Sequence, residues 1–125
     1  MIGFMNTQTT YLDYELLNQY LEILGPEGLG ASVATFKQMA PEYLTEFKGL
    51  VNAQNEVEVR RSAHKIKGSC RALGFIRLGQ SMQEIERDEW VFTDLPARVE
   101  AWEAQLAKDL EQLEHWLAQQ TGARD

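Results

Sequence analysis

The chain has 125 residues, a formal net charge of −7 and a single cysteine, Cys70. That length fits one domain that can bury a core without a metal or a disulfide, and one cysteine excludes an internal disulfide, as in a reducing compartment. The acidic balance argues against a general nucleic-acid binder, and no apolar run approaches the ~20 residues that span a bilayer. The expectation is a cytoplasmic monomer with no membrane or nucleic-acid partner.

Residues 1–10 contain no basic start followed by an apolar stretch, so they read as a flexible tail and not as a signal peptide. The domain is expected over 11–121. A first short helix, 13–24, is capped by Asp13 and ended by Gly25-Pro26, with Leu17, Tyr20, Leu21 and Leu24 on its apolar face. A second helix, 27–53, carries Leu29, Val33, Phe36, Ala40, Leu44, Phe47 and Val51 at steps of three or four. Pro41 lies inside it; because the stripe keeps its phase, a kink is expected there in preference to a break.

A third helix starts at Asn55, with Glu58 placed as in a capping box, and ends at Gly74. Its core stripe is Val59, Ala63, Ile66, Cys70 and Leu73. A fourth, 76–89, buries Leu78, Met82 and Ile85; a loop follows over 90–93. The last, 94–120, tolerates Pro96 in its first turn and buries Val99, Trp102, Leu106, Leu110, Leu113 and Leu117. Strand signals are weak, since alternating β-branched runs are absent. The fold class is therefore all-α, an antiparallel four-helix bundle with an additional short N-terminal helix.

The chemistry concentrates on the third helix. Between residues 59 and 77 stand six basic residues, Arg60, Arg61, Lys65, Lys67, Arg71 and Arg77, and no acid. A basic stretch on an acidic body suggests an anionic partner, a phosphate or an acidic protein surface. At ~100° per residue His64 falls about 140° from the apolar stripe, which places it in solvent. Arg60, Lys67, Gly68 and Arg71 are spaced to share its flank. An imidazole is a competent nucleophile near neutral pH, and neighbouring cations favour its neutral form. A cation one turn away offsets the charge of a phosphoryl group, and glycine leaves the approach open for another protein's backbone at a cost of ~1 kcal/mol in helix propensity.

The run Ala63-His64-Lys65-Ile66-Lys67-Gly68-Ser69-Cys70-Arg71-Ala72-Leu73-Gly74 resembles the histidine phosphotransfer (HPt) signature, His-x-x-Lys-Gly followed by a second glycine. With the stretches 19–26 and 39–44 the resemblance covers most of the chain and is greatest to HPt domains of Arc-type anaerobic redox sensor kinases. It implies that His64 is the phospho-acceptor, Lys67 the phosphate-stabilising residue and Gly68 the access residue. Members often carry a glutamine or glutamate on the next helix that holds the ring. By position this is Glu86, where the Arc-type pattern has glutamine; Gln83, one turn earlier, is the alternative. A carboxylate there either orients the ring through Nδ1 or opposes an incoming phosphate.

The resemblance further implies a phosphorelay intermediate that serves a response-regulator receiver domain and a hybrid sensor histidine kinase. No cofactor of its own is expected; the magnesium ion belongs to the receiver. Arg60, Lys65 and Arg71 are expected to line the docking surface, with Arg61 and Arg77 contributing. The competing readings are an enzyme and a docking module that binds receivers without taking phosphate. Against an enzyme, neither histidine stands in a Glu-x-x-His metal motif and there is no glycine-rich nucleotide loop. Against docking alone, both His64 and Lys67 are present. Cys70, His115 and the three tryptophans are expected to be structural.

Overall fold

A computed structural model describes residues 11–122. The tail expected over 1–10 lies outside the described residues. Four helices follow one another: α1 (Tyr14–Asn52), α2 (Glu56–Ala72), α3 (Ile76–Arg87) and α4 (Leu95–Gly122), with a 3-10 turn, Phe92–Asp94, before the last. Each neighbouring pair packs, and α4 closes back on α1, so the four surround one core. The expected short first helix is the N-terminal part of α1. It is set off at Gly25, whose φ of 75° and ψ of 169° leave the helical region. A residue with a Cβ resists that φ, which makes glycine the natural breaking point. Pro41 is passed without a break.

The apolar stripes of α1 and α2 from Leu29 to Leu73 are buried as expected, as are Leu78, Met82 and Ile85 of α3. On α4, Leu110 and Leu117 are only partly buried, and at the start of the chain Leu24 is 48% exposed. Three core residues lacked a periodic signal because each stands alone at a helix entry: Leu12, Phe75 and Leu95. Leu12 pairs with Phe75 in an isolated antiparallel bridge, and the Asp13 N–H donates to the Gly74 carbonyl at 2.8 Å. The segment before α1 is thereby fixed across the α2–α3 turn.

The helix ends follow local chemistry. Asp13 accepts from the Leu16 N–H and Asn55 from the Glu58 N–H. The capping box expected at Asn55 is only half formed, because the Asn55 N–H goes to the Leu50 carbonyl and the Glu58 carboxylate to Arg61. Both α1 and α2 end in a Schellman arrangement. In α2 the left-handed residue is Gly74, at φ 80°; in α1 it is Gln54, at φ 54°. A left-handed side-chain-bearing residue is strained. Gln54→Gly is therefore expected to raise stability by ~0.5 kcal/mol, read as a higher urea midpoint with an unchanged slope.

One acid lies on the apolar stripe of α4. Asp109 is 1% exposed, accepts from Gln105 at 2.8 Å and faces the Arg77 guanidinium at 3.6 Å. Burial pushes its carboxyl upward, partly offset by Gln105 and Arg77. Arg77 in turn carries the Tyr11 ring 3.3 Å over its guanidinium. This basic residue, expected to contribute to the docking surface, also takes part in the packing of α3 against α4.

Candidate functional site

His64 sits midway along α2 because Ala63 and Ile66 face the core and turn the intervening position outward. Its side chain is 66% exposed, and its Nδ1 lies 2.9 Å from Oε2 of Glu86 on α3. The other oxygen of Glu86, Oε1, is 2.6 Å from the Lys67 ammonium. One carboxylate thus bridges the imidazole and the lysine. Lys67 is only 7% exposed and Glu86 18%, so the pair forms a half-sheltered floor under an open ring. The Lys67 ammonium holds the Glu86 carboxyl below the usual carboxylate range, with a smaller contribution from His64.

An ionised carboxylate only accepts hydrogen bonds. The Nδ1 facing Glu86 therefore carries the ring proton, and the neutral ring keeps its lone pair on Nε2. Among the described residues no hydrogen bond or ion pair reaches Nε2. The outcome is a nucleophilic nitrogen presented to solvent on a ring whose other nitrogen is fixed.

Of the two acceptors considered for the ring, Glu86 fills the position. Gln83 does not reach His64; its Oε1 accepts from Arg71 Nη2 at 2.8 Å. Lys67, expected to be an open cation beside the ring, is instead buried against Glu86. Its stem lies on the flank of α2 that α3 covers, which helical spacing along α2 alone does not reveal.

Gly68 is exposed, and a Cβ built on it meets nothing within 4 Å. Among the described residues no close helix crossing accounts for this glycine. The space that a side chain would take at this position is open.

The basic stretch is largely neutralised by acids from outside it. Arg60, expected on the docking surface, donates through Nη1 to the carbonyls of Ile85, Glu86 and Asp88 and through Nε to Glu56. Its guanidinium lies 4.7 Å from the centre of the Trp90 ring. It is a cap for α3, where its charge meets the negative end of the helix dipole. Lys65 bonds Glu46 of α1 at 2.8 Å and overlies Tyr43, and that hydrogen bond raises its pKa. Arg61 pairs with Glu58. Arg71 alone of the three expected docking cations meets no carboxylate among the described residues, Gln83 being neutral.

A shallow groove of about 470 Å³ begins one turn beyond His64, lined by Tyr20, Leu24, Phe36, Met39, Tyr43 and Ala72 among others. It lies between α1 and α2. Cys70, by contrast, is sealed in the core, and burial pushes its thiol up to about 12, which leaves it unreactive. His115 is exposed, and Gln119 lies 3.4 Å from its Nε2. Trp90 and Trp102 donate to the carbonyls of Ile85 and Leu78, and Trp116 packs on Tyr14. Among the described residues no helix is long and apolar enough to cross a membrane.

An antiparallel helical bundle that presents one imidazole on a helix face, with lysine and glycine three and four residues on, defines a phosphotransfer class of domain. The Hpt domain family model matches residues 31–119, and the chain belongs to that family. The aerobic respiration control sensor protein ArcB of Escherichia coli is 32% identical over 117 residues, 88% of this chain and 14% of ArcB. The sensor histidine kinase AruS of Pseudomonas aeruginosa is 26% identical over 95 residues, 76% of this chain and 9% of AruS. The solved histidine-containing phosphotransfer domain of ArcB from Escherichia coli superposes with a TM-score of 0.80 at 30% identity, covering 90% of this chain and 98% of that one. A solution structure of the same domain gives a TM-score of 0.80 over 93% and 94%. The chain thus spans a small fraction of the curated relatives' length.

Proposed function

We propose that this domain takes a phosphoryl group onto Nε2 of His64 from an aspartyl phosphate and returns it to an aspartate of a second protein. The observation that carries the reading is the ring itself: exposed, held at Nδ1 by an ionised carboxylate, and open at Nε2. In the forward step the Nε2 lone pair attacks phosphorus and the bond to the aspartyl oxygen breaks. The electron pair leaves with the regenerated carboxylate. The ring keeps its Nδ1 proton and becomes a phosphoimidazolium, whose positive charge lies against Glu86. The carboxylate therefore assists the attack. Lys67 serves by holding Glu86 ionised and in place, a positioning role. The reverse step restores the neutral ring.

Receiver domains of response regulators and hybrid sensor kinases are the partners this chemistry calls for. ArcB is named as a sensor protein and AruS as a sensor histidine kinase. In this scheme the protein is a carrier and not a kinase; it needs no cofactor of its own, and the receiver supplies magnesium. The groove beside His64 supplies the apolar contact. A docking-only reading draws on one observation, the engagement of Lys67 by Glu86, which leaves that ammonium without a free charge for a phosphate.

Incubation with a phosphorylated receiver decides between them. An acid-labile, base-stable label on this chain is the expected result; binding without label would establish the docking module. Gly68→Ala provides a second measurement. Helix propensity predicts a stability gain of up to ~1 kcal/mol. Transfer from the receiver is expected to slow about tenfold, equivalent to ~1.4 kcal/mol of lost close approach. Labelling by phosphoramidate, a donor small enough to reach Nε2 past a methyl group, is expected to be unchanged. Equal rates from the receiver would remove the access role.

A further inference from the structure

Charge pairing across the molecule singles out two cations. Lys37, Lys48, Arg60, Arg61, Lys65, Lys67, Arg77 and Arg98 each have a carboxylate within 4.0 Å. Among the described residues three have none: Arg71, Arg87 and Lys108. Lys108 is on α4. The other two are on the helix pair that carries His64, and both are exposed. Arg71 Nη2 is bonded to Gln83, and Arg87 follows Gln83 by one turn on the same face of α3. Of the acids near Arg87 in sequence, Glu86 is occupied by Lys67 and His64 and Glu84 by Arg98, and neither Asp88 nor Glu89 comes within 4.0 Å of its guanidinium.

The seat of Arg71 is built. Gly79 lies buried at the fourth position of α3, and a Cβ there would stand 2.9 Å from Arg71 Cγ. The missing side chain makes the notch through which the arginine stem crosses α3, and neutral Gln83 then steers the guanidinium without cancelling its charge. Glycine inside a helix costs ~1 kcal/mol relative to alanine. Here the structure accepts that cost where it seats an uncompensated cation.

We propose that Arg71 and Arg87 form a two-point cationic rim that recognises the acidic face of the phosphodonor protein. This rests on the phosphotransfer reading above and goes beyond it by naming the residues that select the partner's charge. A protein that presents an aspartyl phosphate with a bound divalent cation must surround it with carboxylates and carries the phosphoryl charge itself. This chain, at −7, repels such a surface as a whole. Over the ~8 Å Debye length at physiological salt, unpaired local charge outweighs the distant body. Rim charges of this kind act chiefly on the association rate and its salt dependence.

The test uses the full chain and a receiver domain charged with acetyl phosphate, chosen from a panel as the fastest donor to the wild type; phosphoramidate is the donor that needs no docking. In the Arg71→Gln/Arg87→Gln double variant, transfer from the receiver is expected to fall about tenfold at ~50 mM salt and to come within about twofold of wild type at ~0.5 M. Labelling by phosphoramidate is expected to be unaffected. Arg87→Glu alone, at a side chain with no bonded neighbour among the described residues, is expected to lose more at low salt than Arg87→Gln, with unchanged circular dichroism.

Wild-type transfer rates at low salt in these variants, or a loss of equal size at every salt concentration, overturn the rim. Labelling of wild type by phosphoramidate but by no receiver overturns it too, while leaving the chemistry of His64 standing. Labelling by neither donor brings down the phosphotransfer reading and the rim together.

Discussion

His64→Gln is expected to abolish labelling by both a phosphorylated receiver and phosphoramidate, with no loss of helical structure and little change in receiver binding. The reason is local. The ring is two-thirds exposed and bonded only through Nδ1 to Glu86, so little packing depends on it. Glutamine has an amide that can meet the Glu86 carboxylate but offers no lone pair of comparable nucleophilicity. His115, the other histidine, lies exposed on α4 with Gln119 3.4 Å from its Nε2, and among the described residues no carboxylate bonds its ring. Label surviving in the variant, located by mass spectrometry under basic conditions, would move the acceptor elsewhere.

The second large effect is expected at Glu86, where alanine and glutamine separate two roles. Glu86→Ala removes the acceptor for Nδ1 and leaves the Lys67 ammonium buried without its counter-charge. A fully buried broken pair costs ~3–5 kcal/mol, and this one is partly open, so ~2 kcal/mol of stability is the expected loss. Transfer is expected to fall ~100-fold, because the tautomer is no longer fixed and the phosphoimidazolium has no carboxylate beside it. Glu86→Gln retains a carbonyl that accepts from Nδ1. Its stability falls with the lost ion pair, while its transfer falls only about tenfold, the contribution of the charge alone. Equal transfer rates in wild type and Glu86→Ala would show that the ring needs no orientation.

The same carboxylate sets a pH dependence. Lys67 depresses the Glu86 carboxyl in the folded protein, so its stabilising contribution is fully present above the unfolded value of ~4.3. It is lost as pH falls through the lower folded value. Urea midpoints measured from neutral pH down to ~3 are expected to decline in this window, and Glu86→Gln to decline less.

Much of the fold was legible because burial along a helix obeys a local period. Leu29 to Val51 and Val59 to Leu73 could be assigned from spacing alone, and the position of His64 off the stripe followed from the same geometry. The exceptions have physical causes. Leu12 and Phe75 are buried by a backbone bridge between segments remote in sequence, which no period encodes. Asp109 occupies a core position because Arg77 comes from another helix to meet it. Gln83 and Glu86 differ by less than one turn of α3. Which of them reaches the imidazole depends on the stagger of α3 against α2, fixed by the turn at Gly74.

The amino-acid order by itself determined an all-helical bundle, an outward histidine on its third expected helix, and lysine and glycine at fixed offsets from it, since these depend only on the 3.6-residue repeat. Tertiary structure decided what those residues do for one another: Lys67 turned to Glu86, Arg60 and Lys65 spent on their neighbours, Arg71 left over. Electrostatic pairing is a matter of ångströms between separate helices, and those distances exist only once the helices have packed.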